Sequence, residues 1–327
     1  MADCDRDQDQ DTVAMDKLVD AHCHVSTDPE SPCGGDDGGF QGTVRCVMSS
    51  NPYDWSNLKK MASNGKRKDY ICVGFGVHPW YSHLFYVGEQ RDKLSHYQGV
   101  LEYKDAEQFT RLVQVLPEPL DLEEYIAREF DDTLVGVIGE IGLDKLFRLP
   151  ANGFYTQGEK ARLTTVKVKL SHQEAVFRRF CQLARDTRRP VSIHDVKCHG
   201  KLNDICNEEL LPCSSVKICL HSYTGSKETL LGQWLKTFSP DRVFVSLSKW
   251  INFKNPEEGN GLVRSLPPTC ILTETDFPID NPDPVYQADL AKQLQYLNAQ
   301  IAQAWDEGHD ASHATSHVYD NFQRFIK

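Results

Sequence analysis

The 327-residue sequence lacks the features of membrane and secreted proteins. It contains no run of about 18 uncharged apolar residues, which a membrane-spanning helix requires. Its first 16 residues are polar and acidic, without the basic flank and apolar stretch of a secretory signal. We therefore expect residues 1–16 to form a disordered acidic tail on a soluble cytoplasmic protein with no membrane partner, and the sequence leaves a nuclear location open.

Disulfide signals and an excess of positive charge are also lacking. The 11 cysteines are odd in number, scattered, and include no C-x-x-C pair, so neither a disulfide framework nor a zinc finger is indicated. A formal net charge of -11 argues against broad, unspecific attraction to nucleic acid. A phosphate-bearing substrate would need local help from cations or from bound metal.

Eight apolar stretches do occur, each of a length suited to a buried strand. They are residues 18–24, 44–50, 70–78, 133–143, 190–196, 217–223, 243–248 and 270–277. Helix-like segments lie between several of them, as in residues 171–189, where Val176, Phe180 and Leu183 recur at helical spacing. Strands alternating with helices predict a parallel sheet, and eight of them predict an α/β fold of the (β/α)8 TIM-barrel type. An open doubly wound sheet is the alternative, although its glycine-rich nucleotide fingerprint is absent after the first strand.

A single domain, residues 17–327, is predicted to hold this barrel. Two connections, residues 79–132 and 144–170, are longer than ordinary crossovers, and each follows the C-terminal end of a predicted strand. Barrel enzymes build their pockets from these loops, so we interpret segments of about 82–116 and 145–168 as insertions around a site. Surface decoration without a role is an open alternative for the first segment.

Side chains able to bind metal recur at the ends of five predicted strands. They are His22 and His24 in VDAHCH, Glu140 in GEIGLD, His194 in SIHD, His221 in CLHSYTGS and Asp276 in TETDFP. In a strand, residues two apart project from the same face, so the two imidazoles of VDAHCH point the same way. The C-terminal ends of barrel strands converge on one mouth, which would bring all six side chains together. Four imidazoles and two carboxylates exceed a tetrahedral structural zinc site and suit two metal ions with positions left open for water.

The ordered motifs DAHCH, GFGVHP, GEIGLD, QEAVF, SIHD, HSYTGS, ETDFP and NFQRFI resemble the TatD family of metal-dependent deoxyribonucleases. They span nearly the whole chain, and the long connections resemble a eukaryotic, fungal branch more than a compact bacterial one. The resemblance implies a metallo-dependent hydrolase of the amidohydrolase-like type, with two divalent ions, Mg, Mn or Zn.

The same resemblance implies a role for each ligand. His22 and His24 would bind one ion, His194 and His221 the other, and Glu140 would bridge them. Asp276 would bind the first ion and orient or deprotonate the attacking water. Asp276 and Glu140 are therefore the expected catalytic residues.

Further candidates for substrate contact surround the same mouth: His78, Lys197, Tyr223, Thr224 and Ser226. For His78 the resemblance implies contact with substrate, and a hydrogen-bonded structural role is the alternative. The three residues after His221 could bind phosphate oxygens or could cap their own loop. Glu274 shares a strand face with Asp276 and could accept a hydrogen bond from a ligating histidine.

Two positions depart from the family pattern. The family commonly has an arginine two residues after the fifth-strand histidine, whereas this sequence has Val196 followed by Lys197, and an ammonium does not replace a guanidinium fork on phosphate. Phe277 stands beside Asp276 where the usual motif has serine, which would narrow or reshape the pocket.

The favoured function is a deoxyribonuclease, expected to be an exonuclease, that acts on single-stranded or frayed DNA, because a barrel mouth admits a strand more readily than a duplex. One alternative is a two-metal hydrolase of a small ester, lactone or amide. Another is a barrel that acts mainly as a scaffold and binds a protein partner through the inserted loops. The presence of all six candidate ligands counts against a complete loss of catalysis.

Overall fold

The computed structural model describes residues 18–27, 42–63, 70–154, 162–305 and 310–327. The predicted acidic tail, residues 1–16, lies outside the described residues, and the single-domain boundary at residue 17 stays a prediction.

Eight parallel strands form one sheet in which every strand pairs with its neighbours in chain order. They are β1 Leu18–His24, β2 Thr43–Met48, β3 Ile71–Phe75, β4 Val135–Asp144, β5 Val191–Val196, β6 Ile218–His221, β7 Val243–Ser248 and β8 Ile271–Glu274. Side chains on both faces of these strands are buried, as in β7, where all six residues are buried. The predicted TIM-barrel fold is confirmed.

The barrel closes through the residues that follow β8. The Thr273 hydroxyl donates to the Val19 carbonyl at 2.7 Å, and the Asp276 N–H donates to the His22 carbonyl at 3.0 Å. The His24 N–H then donates to the Phe277 carbonyl at 3.0 Å. The seam between the last strand and the first therefore runs directly through the TETDFP motif.

Helices cover the outside of the sheet. The longer ones in the described chain are Pro52–Ala62, Lys93–Val100, Ala106–Val115, Leu122–Glu129, Leu170–Thr187, His199–Glu209, Pro256–Ser265, Pro284–Ala304 and Ala311–Ile326. An irregular helical segment between β6 and β7 comprises Lys227–Thr229, Leu230–Leu235 and Lys236–Phe238. Helix Leu170–Thr187 buries Val176, Phe180 and Leu183 against the sheet, as their spacing predicts. Among the described helices, none combines the length and apolarity needed to cross a bilayer.

The two long connections pack against each other. The first contains a 3-10 helix, Pro79–Leu84, and three of the helices above. Its short strand Leu101–Glu102 pairs antiparallel with Lys167–Val168 from the second connection. Side chains from both connections, including Tyr97, Phe109 and Val166, form a hydrophobic cluster separate from the barrel core. The two insertions therefore form one structured layer beside the barrel mouth.

Candidate metal centre

The two histidines of VDAHCH converge on one carboxylate. His22 and His24 alternate at the end of β1, with their ring centroids 5.0 Å apart. Nε2 of His22 lies 3.5 Å from Oε2 of Glu140, and Nε2 of His24 lies 3.4 Å from the same oxygen. The shared face predicted for the two imidazoles is therefore present.

The second carboxylate oxygen of Glu140 faces the histidines of β5 and β6. Oε1 lies 3.0 Å from Nδ1 of His194 and 2.8 Å from Nε2 of His221. Glu140 itself is buried within β4, at an irregularity of the β4–β5 pairing between Ile138 and Ile141. Oε2 of Glu140 thus lies near the β1 histidines, and Oε1 lies near the β5 and β6 histidines.

Asp276 completes the cluster from the closure of the barrel. Its Oδ1 lies 3.2 Å from Nε2 of His24 and 3.9 Å from Nε2 of His22. The residue lies two positions beyond the end of β8, with a φ of 61°, so the predicted strand was too long at this end. Its side chain is 37% exposed, which makes it the most accessible carboxylate among these ligands.

The ring nitrogens that face away from the centre also have polar neighbours. Nδ1 of His22 lies 2.8 Å from the Ser192 hydroxyl, Nε2 of His194 lies 3.5 Å from Asp144, and Nδ1 of His221 lies 3.5 Å from Glu274. Such partners fix the tautomer and the ring orientation of ligating histidines. Glu274 was expected in this role, whereas Ser192 and Asp144 were not.

A backbone approach explains one glycine of GEIGLD. Gly142 in β4 has a φ of 152°, and a Cβ atom there would lie 2.0 Å from the carbonyl oxygen of His194. Only glycine allows β4 and β5 to come this close. The glycine therefore helps to set where His194 enters the mouth.

The donor set fits divalent cations. Three overlapping groups hold ligand atoms within 4.8 Å of one another: His22, His221 and Asp276; His22, His24 and Glu140; and His78, Glu140 and His194. Nε2 of His22 is buried and has no hydrogen-bond partner among the described residues. A buried polar atom without a partner is costly, and a metal ion would satisfy it.

The pKa values of these groups reflect the crowding of imidazoles around carboxylates. Burial would raise the pKa of Glu140, but the imidazoles of His78, His221 and His22 hold it well below its usual range. Burial lowers the pKa of His22. Burial alone would do the same to His24, but its hydrogen bond with Asp276 and the charge of Glu140 raise the pKa to about 9. Bound cations would supply this positive charge in place of protons, so metal binding should release protons.

His78 has the hydrogen-bonded structural role that was given as the alternative, and its contact with substrate stays a prediction. Its Nδ1 accepts the Trp80 N–H at 3.1 Å, which caps the 3-10 helix that starts at Pro79. Nδ1 therefore carries no proton, and Nε2 is the donor, directed at Oε1 of Glu140 at 3.3 Å. Burial lowers the pKa of His78 to about 4, which keeps the ring neutral.

A cavity of about 230 Å³ opens above the centre. Its lining consists of the centre and its surroundings: His24, Val25, Thr27, Ser50, His78, Trp80, Tyr81, Glu140, His194, His221 and Asp276. Trp80 and Ser50 were not expected here, because a tryptophan after a proline and a serine after a strand carry no specific signal in the sequence.

The weaker candidates lie in loops beside this cavity. The Tyr223 hydroxyl donates to the Ser226 carbonyl at 3.1 Å, and the Thr224 hydroxyl donates to the Asp195 carbonyl at 3.2 Å. The Ser226 hydroxyl accepts the Thr229 N–H. Lys197 is exposed, with a φ of 59°. Within the described residues the cavity lining includes none of these four, and their contact with substrate stays a prediction.

Comparison with known proteins agrees with this geometry. A family model described as TatD related DNase matches residues 19–327. The chain is 80% identical over 313 residues to an uncharacterized deoxyribonuclease of Saccharomyces cerevisiae, which covers 96% of this chain and 100% of that protein. It is 28% identical over 302 residues to a Cut9-interacting protein of Schizosaccharomyces pombe, which covers 80% of this chain and 87% of that protein.

Solved structures share the fold. A TatD homologue of Escherichia coli matches with a TM-score of 0.60 at 16% identity, over 95% of this chain and 98% of that chain. An uncharacterized amidohydrolase of Saccharomyces cerevisiae matches with a TM-score of 0.56 at 16% identity, over 94% of this chain and 99% of that chain.

Proposed function

This chain belongs to the family of TatD related DNases, and on that premise we propose that it hydrolyses single-stranded DNA from an end, using two divalent metal ions. The family, its fungal branch and the class of metal-dependent deoxyribonuclease are confirmed predictions. The number of ions, the preference for single strands and the exonucleolytic mode are parts of the proposal.

The proposal of two ions rests on the two carboxylate oxygens of Glu140, which face different pairs of histidines. One oxygen faces the β1 histidines and the other faces His194 and His221. A single bridging carboxylate between two sets of imidazoles is an arrangement that suits a pair of ions rather than one closed tetrahedral site.

Each ligand then has an assigned place. His22, His24 and Asp276 would hold one ion, His194 and His221 the other, and Glu140 would contact both. When bound, such ions lower the pKa of water from about 16 to about 7 and stabilise charge on a phosphoryl oxygen. The ions could be Mg, Mn or Zn, since imidazole and carboxylate ligands suit several divalent metals.

Two side chains are placed to act on the reacting groups. Asp276 is the exposed carboxylate of the set, so we assign it the proton of the attacking water. His78 lines the cavity and its Nε2 carries a proton that is directed at Oε1 of Glu140, so we assign this N–H a hydrogen bond to a phosphate oxygen that would replace the contact with Glu140 when substrate is bound.

A protein partner is a second proposal, drawn from one relative. The Schizosaccharomyces pombe relative is named for its interaction with Cut9. The layer formed by the two insertions offers a surface for such a partner beside the mouth. Co-purification of a stable partner, lost when exposed residues of this layer are changed, would support it.

The test uses end-labelled single-stranded DNA and protein stripped of metal, then resupplied with Mg, Mn or Zn. Wild type should shorten the strand stepwise only with metal, and Asp276→Asn should lose activity by about 100-fold or more. Asp241→Asn is the matched control, because Asp241 is exposed and precedes β7 at the opposite end of the barrel. Metal-dependent cleavage retained in Asp276→Asn would refute the role of Asp276, and an absence of cleavage in wild type with any metal would refute the nuclease.

A further inference from the structure

A basic cleft lies between the two insertions, outside the cavity of the metal centre. Its volume is about 430 Å³, and its charged lining consists of Lys104, Lys145, Arg148, Lys167 and Glu102. Among the residues that the structure describes, four cations therefore face one carboxylate, in a chain whose formal net charge is -11. We refer to this site as the insertion cleft.

Within the described residues, the cations of the insertion cleft have no carboxylate partners. None of the four forms an ion pair with a carboxylate among the described residues. Lys104, Lys145 and Arg148 are exposed. Lys167 Nζ donates to the Lys145 carbonyl at 3.1 Å, which fixes the position of the Lys167 ammonium in the cleft. Like charges gathered in this way repel one another, and a bound polyanion would relieve that repulsion.

The insertion cleft is connected to the metal centre through contacts of Asp144. Gln173 lines the cleft, and its side chain accepts the Asp144 N–H at 2.8 Å and donates to the Asp144 carbonyl at 3.0 Å. The Asp144 carboxylate in turn lies 3.5 Å from Nε2 of His194. One residue thus separates the cleft from a ligand of the centre.

An aromatic pair stands at the same boundary. Trp80 lines the cavity of the metal centre, and its ring stacks on Phe147 with centroids 4.4 Å apart and an interplanar angle of 11°. The indole N–H of Trp80 donates to the Asp144 carboxylate at 2.7 Å, which fixes the orientation of the Trp80 ring. Phe147 directly precedes Arg148 of the cleft. Aromatic faces next to a cationic groove are the features that bind single-stranded nucleic acid without base-specific contacts.

We propose that the insertion cleft binds the phosphate backbone of single-stranded DNA whose end lies at the metal centre. A base located between the cleft and the centre would stack on the Trp80–Phe147 pair. The inference rests on the proposed nuclease function and names the track along which its substrate lies. The insertion cleft also supplies positive charge for phosphate binding that the fifth strand lacks, because Val196 stands there in place of the family arginine. The aromatic pair favours a nucleic acid over an acidic protein segment as the occupant.

The first experiment measures binding without cleavage. A fluorescein-labelled 20-nucleotide single strand is titrated by fluorescence anisotropy in EDTA, at several salt concentrations. We expect Lys104→Gln/Arg148→Gln to weaken binding about tenfold and to reduce the slope of log affinity against log salt by about 1.4, since each phosphate contact in a single strand contributes about 0.7. The matched control is Lys60→Gln/Lys236→Gln, which removes the same charge from exposed residues outside the cleft.

The control pair separates a local contact from a general effect of charge. Equal affinity of wild type and the cleft variant would overturn the proposal. So would an equal loss in both double variants, because that result would reflect net charge alone. Circular dichroism and the unfolding temperature of each variant verify that the fold is retained.

The second experiment separates this inference from the proposed function. Hydrolysis of bis(4-nitrophenyl) phosphate by wild type, with metal resupplied, tests the metal centre alone, because this diester is too small to extend into the insertion cleft. With DNA, kcat/KM of wild type should rise from a dinucleotide to a 20-mer, and the cleft variant should lose that rise. A wild type that hydrolyses neither substrate fails the proposed function, whereas a cleft variant that keeps the full dependence on length fails the inference.

Discussion

At the scale of single residues, the shared carboxylate of Glu140 makes the two halves of the centre separable by mutation. His22 and His24 face one oxygen, and His194 and His221 face the other. A change at Glu140 must affect both halves, but a change in one histidine pair should leave ligands for the other ion. The metal content of single variants therefore tests the arrangement directly.

We expect His22→Ala to lower the bound metal from the two equivalents proposed above to about one, because the remaining β5 and β6 histidines would still hold an ion with Glu140. The measurement is elemental analysis after metal loading and gel filtration. His313→Gln, on the exposed face of the last helix, is the control and should keep both equivalents. An unchanged content in His22→Ala would contradict the assignment of VDAHCH.

The Ser192 hydroxyl, which contacts Nδ1 of His22, should also contribute to metal affinity. Ser192→Ala removes the hydroxyl 2.8 Å from Nδ1 of His22, and loss of such a partner typically lowers metal affinity 10- to 100-fold, roughly. Ser246→Ala is the matched control, since Ser246 is equally buried in the barrel and its hydroxyl has no hydrogen-bond partner among the described residues. Calorimetric titration with metal should show a loss of about tenfold for Ser192→Ala and none for the control. Equal affinities would exclude a role for this hydroxyl.

At the scale of elements, the apolar runs located every barrel strand, but not where each strand ends. The prediction 70–78 extends past Phe75, because His78 caps a 3-10 helix that starts at Pro79. The prediction 270–277 extends past Glu274, because Asp276 has a positive φ. Hydrophobic periodicity reports burial, and a residue such as Val77 is buried beyond the strand end without pairing in the sheet. The mutual packing of the two insertions was not predicted, since their pairing joins segments distant in sequence.

The same limit applies to the centre. Its metal-binding residue types were predictable because histidines and carboxylates at strand ends are uncommon in combination. Ser192, which contacts His22, and Trp80, which lines the cavity, were missed. Both belong to residue types that occur in many ordinary loops and strands, so only their contacts in the fold identify them.

A group of buried and half-buried histidines where the first insertion meets the barrel predicts acid sensitivity. Burial, with neighbouring imidazoles, lowers the pKa of His83 to about 3 and that of His172 to about 4. His172 lies 3.0 Å from the Ser82 carbonyl, and His96, whose pKa burial also lowers, lies 2.9 Å from the His83 carbonyl. The unfolded chain binds protons below a pH of about 6.5 while these rings stay neutral, so stability is present above that pH and is lost as the pH falls towards 4.

The expected effect is about 1.6 kcal/mol of unfolding free energy per histidine between pH 6.5 and pH 5. It is measured by guanidinium unfolding in EDTA at both pH values. His83→Gln/His172→Gln should lose less stability on acidification than wild type, and His313→Gln should lose as much as wild type. The same pH dependence in all three proteins would show that these buried histidines do not cause it.

At the scale of the whole molecule, the candidate metal centre lies where the barrel closes. Its candidate ligands come from β1, β4, β5 and β6 and from the residue two positions past β8. Asp276 both contacts His24 and donates its backbone N–H to His22, across the seam between the last strand and the first. Ions bound here would connect distant parts of the sequence, so the stability of the barrel and the occupancy of the centre should be coupled.

Removal of metal should therefore lower the stability of the entire fold. For one site and free ion at 100 times its dissociation constant, binding to the folded state alone adds about 2.7 kcal/mol to the free energy of unfolding. Guanidinium unfolding of metal-loaded and stripped protein measures this difference, and the loaded protein should unfold at higher denaturant. In His22→Ala/His194→Ala, which loses a ligand from each half of the centre, the two curves should coincide at that same ion concentration. If the wild-type curves also coincide, the ions do not hold the barrel seam together, and closure depends on the hydrogen bonds of the protein itself, such as those of Thr273 and Asp276.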